Sequence, residues 1–139
     1  MPKLKNVSKK TMTPTRPYVL RAFYDWIVDN HCTPHIVINA KFPGASVPEN
    51  YIDEEGQIVL NISPIAVKGL ELGDKTIEFH AMFGGSSYHI IAPVFAIVAI
   101  YAKENGRGMV FDDGEEVGPT PAEVEEDISD EEGGDSDGG

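Results

Sequence analysis

The chain has little sulfur, no long apolar run and, in its last fifth, no positive charge. A single cysteine, Cys32, in 139 residues excludes an internal disulfide framework and fits a reducing compartment. No stretch approaches the 18 or more apolar residues of a membrane-spanning helix, and Met1 to Thr13 has lysines but no apolar segment of a secretory signal. These absences point to a cytoplasmic protein with no membrane partner, in which the sequons Asn6-Val7-Ser8 and Asn61-Ile62-Ser63 are chance matches. Asp112 to Gly139 contains no Lys, Arg or aromatic residue, yet holds 13 of the 23 acidic residues, so the net charge of −12 belongs to this tail. Its few apolar side chains, Val117, Ala122, Val124 and Ile128, cannot offset the entropy of ordering it. The expected organisation is a flexible basic arm (residues 1–13), one folded domain (14–111) and a disordered acidic linker (112–139).

What is present within the domain is short-range periodicity. Thr15 reads as a helix N-cap and Pro17 as a first-turn residue, where its missing N–H costs little. The helix is expected to run to about Asn30. Val19, Phe23, Trp26 and Ile27 make one apolar stripe, which Leu20, Tyr24 and Val28 widen. So wide a stripe fits either a helix deep in one core or a helix with core on one side and a second copy on the other. After Thr33-Pro34, alternation predicts strands over 35–42 and 58–62, then a hairpin of 76–83 and 88–92 around Gly84-Gly85-Ser86-Ser87. The apolar run from Pro93 to Ala102 has an ambiguous period, and Asn105-Gly106 before Gly108 to Phe111 favours strand for its second half. One helix and about six antiparallel strands make a mostly β, α+β domain whose sheet curls into a small sandwich or partly open barrel.

Catalytic templates are scarce. His31-Cys32-Thr33-Pro34-His35 has zinc-ligand chemistry, but it offers only three donors at a helix-to-strand corner where such residues commonly just pack. His80 and His89 meet across the hairpin only if the register permits, with no nucleophile beside them. Gly84-Gly85-Ser86-Ser87 lacks the ending of a phosphate loop. The sequence therefore assigns no catalytic residue, no metal and no cofactor. Lys3, Lys5, Lys9 and Lys10 make a basic arm that suits RNA, but a tail of uncompensated carboxylates argues against nucleic acid. A binding role fits better: Ala81, Met82, Phe83, Gly84 and Gly85 combine small, flexible and aromatic side chains with two glycines, which permits an extended peptide to approach the backbone.

Arg16-Pro17-Tyr18-Val19-Leu20-Arg21-Ala22-Phe23-Tyr24-Asp25-Trp26, Thr33-Pro34-His35, Gly56-Gln57-Ile58-Val59-Leu60-Asn61-Ile62, Phe83-Gly84-Gly85 and Ala99-Ile100-Tyr101-Ala102-Lys103-Glu104-Asn105-Gly106 carry a resemblance. Over residues 14–111 the chain resembles the stringent starvation protein B family, adaptors of the ClpXP protease. The resemblance implies a non-enzymatic homodimer paired through the N-terminal helix, with Leu20, Tyr24 and Ile27 expected at the subunit interface, and an Sm-like β domain. It also implies a groove for the ssrA degradation tag of stalled-translation products, along Ala81 to Gly85 with the loop carrying Val47 nearby. A C-terminal apolar and basic motif would dock on the N-terminal domain of ClpX. No such motif stands at Asp137-Gly138-Gly139, and truncation is the expected reason. An Sm-like RNA-binding module is the alternative.

Overall fold

Pro17 sets the start of the only long helix among the described residues, 12–111 of the computed structural model. Helix α1 (Arg16–Asp29) begins where the Thr15 carbonyl accepts the Val19 N–H at 2.9 Å. It ends in a Schellman closure: the His31 N–H donates to the Val28 carbonyl (2.9 Å) and the Cys32 N–H to the Ile27 carbonyl (3.0 Å). His31 takes the left-handed position at φ 60°, which Gly or Asn usually fills.

Seven antiparallel strands follow among the described residues: β1 (Pro34–Asn39), β2 (Gln57–Asn61), β3 (Val67–Leu72), β4 (Thr76–Phe83), β5 (Ser86–Pro93), β6 (Ile97–Ala102) and β7 (Gly108–Val110). They form a four-stranded sheet in the order β2-β1-β6-β7 and a three-stranded sheet in the order β3-β4-β5. The sheets do not close into a barrel, and the α+β, mostly β expectation holds. Ile36, Ile38, Ile58, Leu60, Ile77, Phe79, Ile90 and Ile100 meet in one core, which α1 joins through Leu20 and Ile27.

Arg16 fastens the start of the helix to this core. It is buried, and its Nη1 donates to the carbonyls of Phe95 (3.0 Å) and Ile97 (2.9 Å). Its guanidinium lies 4.9 Å from the centre of the Phe111 ring. One cationic fork thus ties together α1, the 3₁₀ turn Val94–Ala96 that leads into β6, and Phe111.

Several boundaries differ from the sequence expectation for local reasons. The first strand stops at Asn39, not Phe42, because the Asn39 Oδ1 accepts the Lys41 N–H at 3.0 Å and turns the chain. Ser86 and Ser87 belong to β5, leaving Gly84-Gly85 as a two-residue turn. Asn105-Gly106 lies in a five-residue loop, Lys103 to Arg107, that joins β6 to β7. The strand β3 was not expected: Gly69 at φ 66° and a bulge between Lys68 and Glu71 break its alternation. The basic arm's residues 1–11 and the acidic tail, with the disorder expected of them, lie outside the described residues.

Candidate functional site

The inner face of β4 carries Ile77, Phe79, Ala81 and Phe83, and its burial fades along the strand. Ile77 and Phe79 are 0% exposed, Ala81 is 9% exposed and Phe83 is only half-buried. On β5 the same gradient runs from buried Ala92 and Ile90 to Tyr88, 38% exposed. Ala81 sits between Val67 of β3 and Tyr88 of β5 in register, so a small side chain floors the face where the core gives out.

Aromatic rings flank that floor. The Tyr51 ring lies 4.7 Å from that of Phe83, and Phe83 meets Tyr88 edge-on at 5.5 Å. Tyr51 ends the 3₁₀ turn Glu49–Tyr51 and is about half exposed. Its loop is fastened to the free edge of β5 by a bridge in which the Ser46 N–H donates to the Ile91 carbonyl (2.7 Å) and the Ile91 N–H to that of Ser46 (3.3 Å). Gly84 and Gly85 have φ of 55° and 85°, the both-positive pattern of a hairpin turn that twists with its strands. A Cβ on Gly84 would stand 3.0 Å from the Tyr51 hydroxyl, so glycine is also what lets this ring cover the turn.

The expected peptide-contacting residues therefore divide. Ala81, Phe83 and Gly84 share this surface, and Val47 packs half-buried against the core from the loop beside β5. Gly85 completes the turn with open space around it. Met82, 63% exposed, points to the opposite face of the sheet with His80 and Glu78. Tyr51 escaped the sequence reading because it stands in a polar loop without periodicity; an aromatic three residues after Pro48 was its only signal.

The helix residues expected between subunits also divide. Leu20 and Ile27 are 0% and 1% exposed inside this chain's own core, which leaves them no surface for a second copy. Tyr24 is half-buried; burial and then the Asp25 carboxylate push its phenol pKa up, so it stays a neutral donor in a cleft of about 440 Å³ between α1 and β3. The large apolar side chains that α1 does expose are Tyr18 and Trp26, with the small Ala22 between them. Ala22, Phe23, Trp26 and Arg107 line a second hollow of about 420 Å³, with the Arg107 guanidinium 5.4 Å from the Trp26 ring centre.

His31 and Cys32 close the helix through their backbone N–H groups, and His35 on β1 lies against the ring of Tyr101 on β6. Among the described residues no group of three His, Cys, Asp or Glu side chains could hold a metal ion. Among them, too, no helix is long and apolar enough to cross a membrane. What the hairpin tip offers is apolar contact, exposed rings and close access to backbone, a surface suited to an extended chain.

The family model described as stringent starvation protein B matches residues 14–138. A stringent starvation protein B homolog of Haemophilus influenzae is 48% identical over 100 residues, which cover 72% of this chain and 66% of that relative's length. The chain thus spans just under two thirds of the curated relative, and on the family match over most of its length it belongs to the stringent starvation protein B family.

Proposed function

We propose that the chain is a non-enzymatic adaptor that holds the ssrA degradation tag as an extended peptide and brings the tagged protein to the ClpX unfoldase for ClpXP degradation. The observation that carries this reading is the burial gradient along β4 and β5: an apolar inner face floored by Ala81, left open at one end and flanked by Tyr51, Phe83 and Tyr88. An extended segment laid there gains apolar contact without displacing the core. Family membership supports the adaptor role, and the acidic segment 112–139 supplies the tether. Tethering raises the local substrate concentration near the unfoldase, to the millimolar range for a short flexible link. The ClpX-docking step has no residue assigned to it in this sequence.

The adaptor works as a homodimer, with Tyr18, Ala22 and Trp26 of α1 at the contact in place of the core residues Leu20 and Ile27. Sedimentation should give twice the 15.1 kDa chain mass. Trp26→Asp should shift it to one chain mass without unfolding it, and a monomeric native protein would overturn this part. Fluorescence anisotropy with a labelled ssrA peptide tests the groove: saturable binding is expected, and none at any concentration would sink the proposal.

A further inference from the structure

The free edge of the same hairpin is only partly occupied. In a hairpin closed by a two-residue turn the flanking pair, here Phe83 and Ser86, is hydrogen-bonded and the pairs then alternate. Ser86, Tyr88 and Ile90 therefore turn their main-chain N–H and C=O groups toward β4, and Ser87, His89 and Ile91 turn theirs toward the edge. Ile91 obeys this, exchanging both groups with Ser46 in an antiparallel bridge. Carried on in the same register, the Ser46 segment would set Pro48 opposite His89. Proline has no N–H to continue a ladder, and from there the chain enters the 3₁₀ turn Glu49–Tyr51. Among the described residues nothing outside the hairpin bonds the main chain of Ser87 or His89, and both residues are exposed.

Other strand edges are blunted. The bulge at Gly69 bends β3, β7 is three residues long, and at the start of β2 Asp53 holds both main-chain groups of Gln57. By contrast β5 keeps an unbroken register with β4, and Ser86 to Ile91 contains no lysine, proline or bulge to block an incoming strand. We infer that an extended peptide adds to this edge as a fourth strand of the β3-β4-β5 sheet, antiparallel to β5 as Ser46 is, and trades main-chain hydrogen bonds with His89 and Ser87. This mode of holding rests on the tag-binding proposal above and supplies what an apolar face lacks, hydrogen bonds that do not depend on the peptide's side chains. Opposed residues of an antiparallel pair share a face, so the peptide residues bonded to His89 and Ser87 point their side chains to the outer face. The residue between them, opposite Tyr88, points inward to the face that Ala81 floors. Main-chain bonding and apolar contact thus fall on alternate residues of the peptide.

Fluorescence anisotropy of the native chain with labelled ssrA peptides, each N-methylated at one backbone nitrogen, tests the added strand. Each lost main-chain bond should weaken binding roughly 2- to 10-fold, at two peptide residues separated by one that is spared. Alanine replacement in the same peptide should cost most at the spared residue. On the protein side, His89→Pro removes the edge-facing N–H at a position where a sheet tolerates proline, while His89→Ala removes the same side chain and keeps that N–H. The proline variant should bind the unmodified peptide roughly 2- to 10-fold more weakly than the alanine variant. The peptide scan leaves the hairpin unaltered and decides the matter if the proline variant does not fold. N-methyl losses without that alternation, or equal binding by two folded variants, overturn the added strand and leave the groove standing. No binding of the unmodified peptide by the native chain overturns the tag reading itself, and the strand with it.

Discussion

The two sheets share one core but use it differently. In the four-stranded sheet β1 is flanked on both sides, and its inward Ile36 and Ile38 are wholly buried among Ile58, Leu60, Ile97 and Ile100. In the three-stranded sheet the inward face is sealed at Ile77 and Phe79, then opens through Ala81 to Phe83 and Tyr88. The difference teaches where the proposed binding surface would come from: at this end of the sheet the apolar face simply outlasts the material that covers it. On the proposed reading, stability and recognition lie on alternate residues of a single strand, a few ångströms apart.

Substitutions along β4 should separate the two. The largest effect belongs to Phe79→Ala at the sealed end, which should cost about 3–5 kcal/mol by denaturant titration. A loss near zero would mean that the core does not extend under this strand. Ala81→Gln, two residues on, should cost only about 1–3 kcal/mol of stability by overpacking, yet lower affinity for a labelled ssrA peptide at least tenfold. Equal losses of stability and binding would erase the distinction between the ends.

At the turn, Gly84→Ala meets both a positive φ and the Tyr51 hydroxyl, while Gly85→Ala meets only the first. Each should cost about 1–2 kcal/mol for the left-handed backbone. The excess at Gly84, read from paired melting curves, measures how firmly Tyr51 is held over the tip, and no excess would show the ring free to swing away.

The smallest effect tests the rim of the four-stranded sheet. Glu104 accepts from the Thr33 backbone N–H at 2.8 Å and from its hydroxyl at 2.7 Å, and these bonds hold its carboxyl pKa below the usual range. A lowered folded-state pKa stabilises the fold above the ordinary carboxylate range and ceases to do so as pH falls through the lowered value. Glu104→Gln should therefore melt slightly below the native chain at neutral pH, and the gap should close in acid. A gap that persists in acid would mean that shape, not charge, matters there.

Much of this frame was legible in the sequence because short-range rules governed it. Pro17 marks the helix start, Gly84-Gly85 the hairpin, and strict alternation the inward residues of β4. The rules failed where one residue served two demands. Gly69 and its bulge hid β3, and the Asn39 side chain ended β1 early. The wide helical stripe could not reveal which of its residues the chain would bury for itself, so Leu20 and Ile27 read as interface while Trp26 held the exposed position. Half of the candidate groove was visible as the Ala81 to Gly85 run. Tyr51 was not, since a loop residue reaches its ring partners through tertiary placement that no period encodes.

The Arg16 clasp has a mechanical consequence. A pull applied to the chain beyond Phe111 would load β7, a three-residue edge strand whose bonds to β6 could peel one after another. Phe111 stands ahead of that strand, its ring buried beneath the Arg16 guanidinium and its N–H bonded to the Val98 carbonyl at 2.8 Å. Force would have to extract the ring and strip a cation of its aromatic face before the first ladder bond was strained, so the domain is latched at the point where the acidic segment begins.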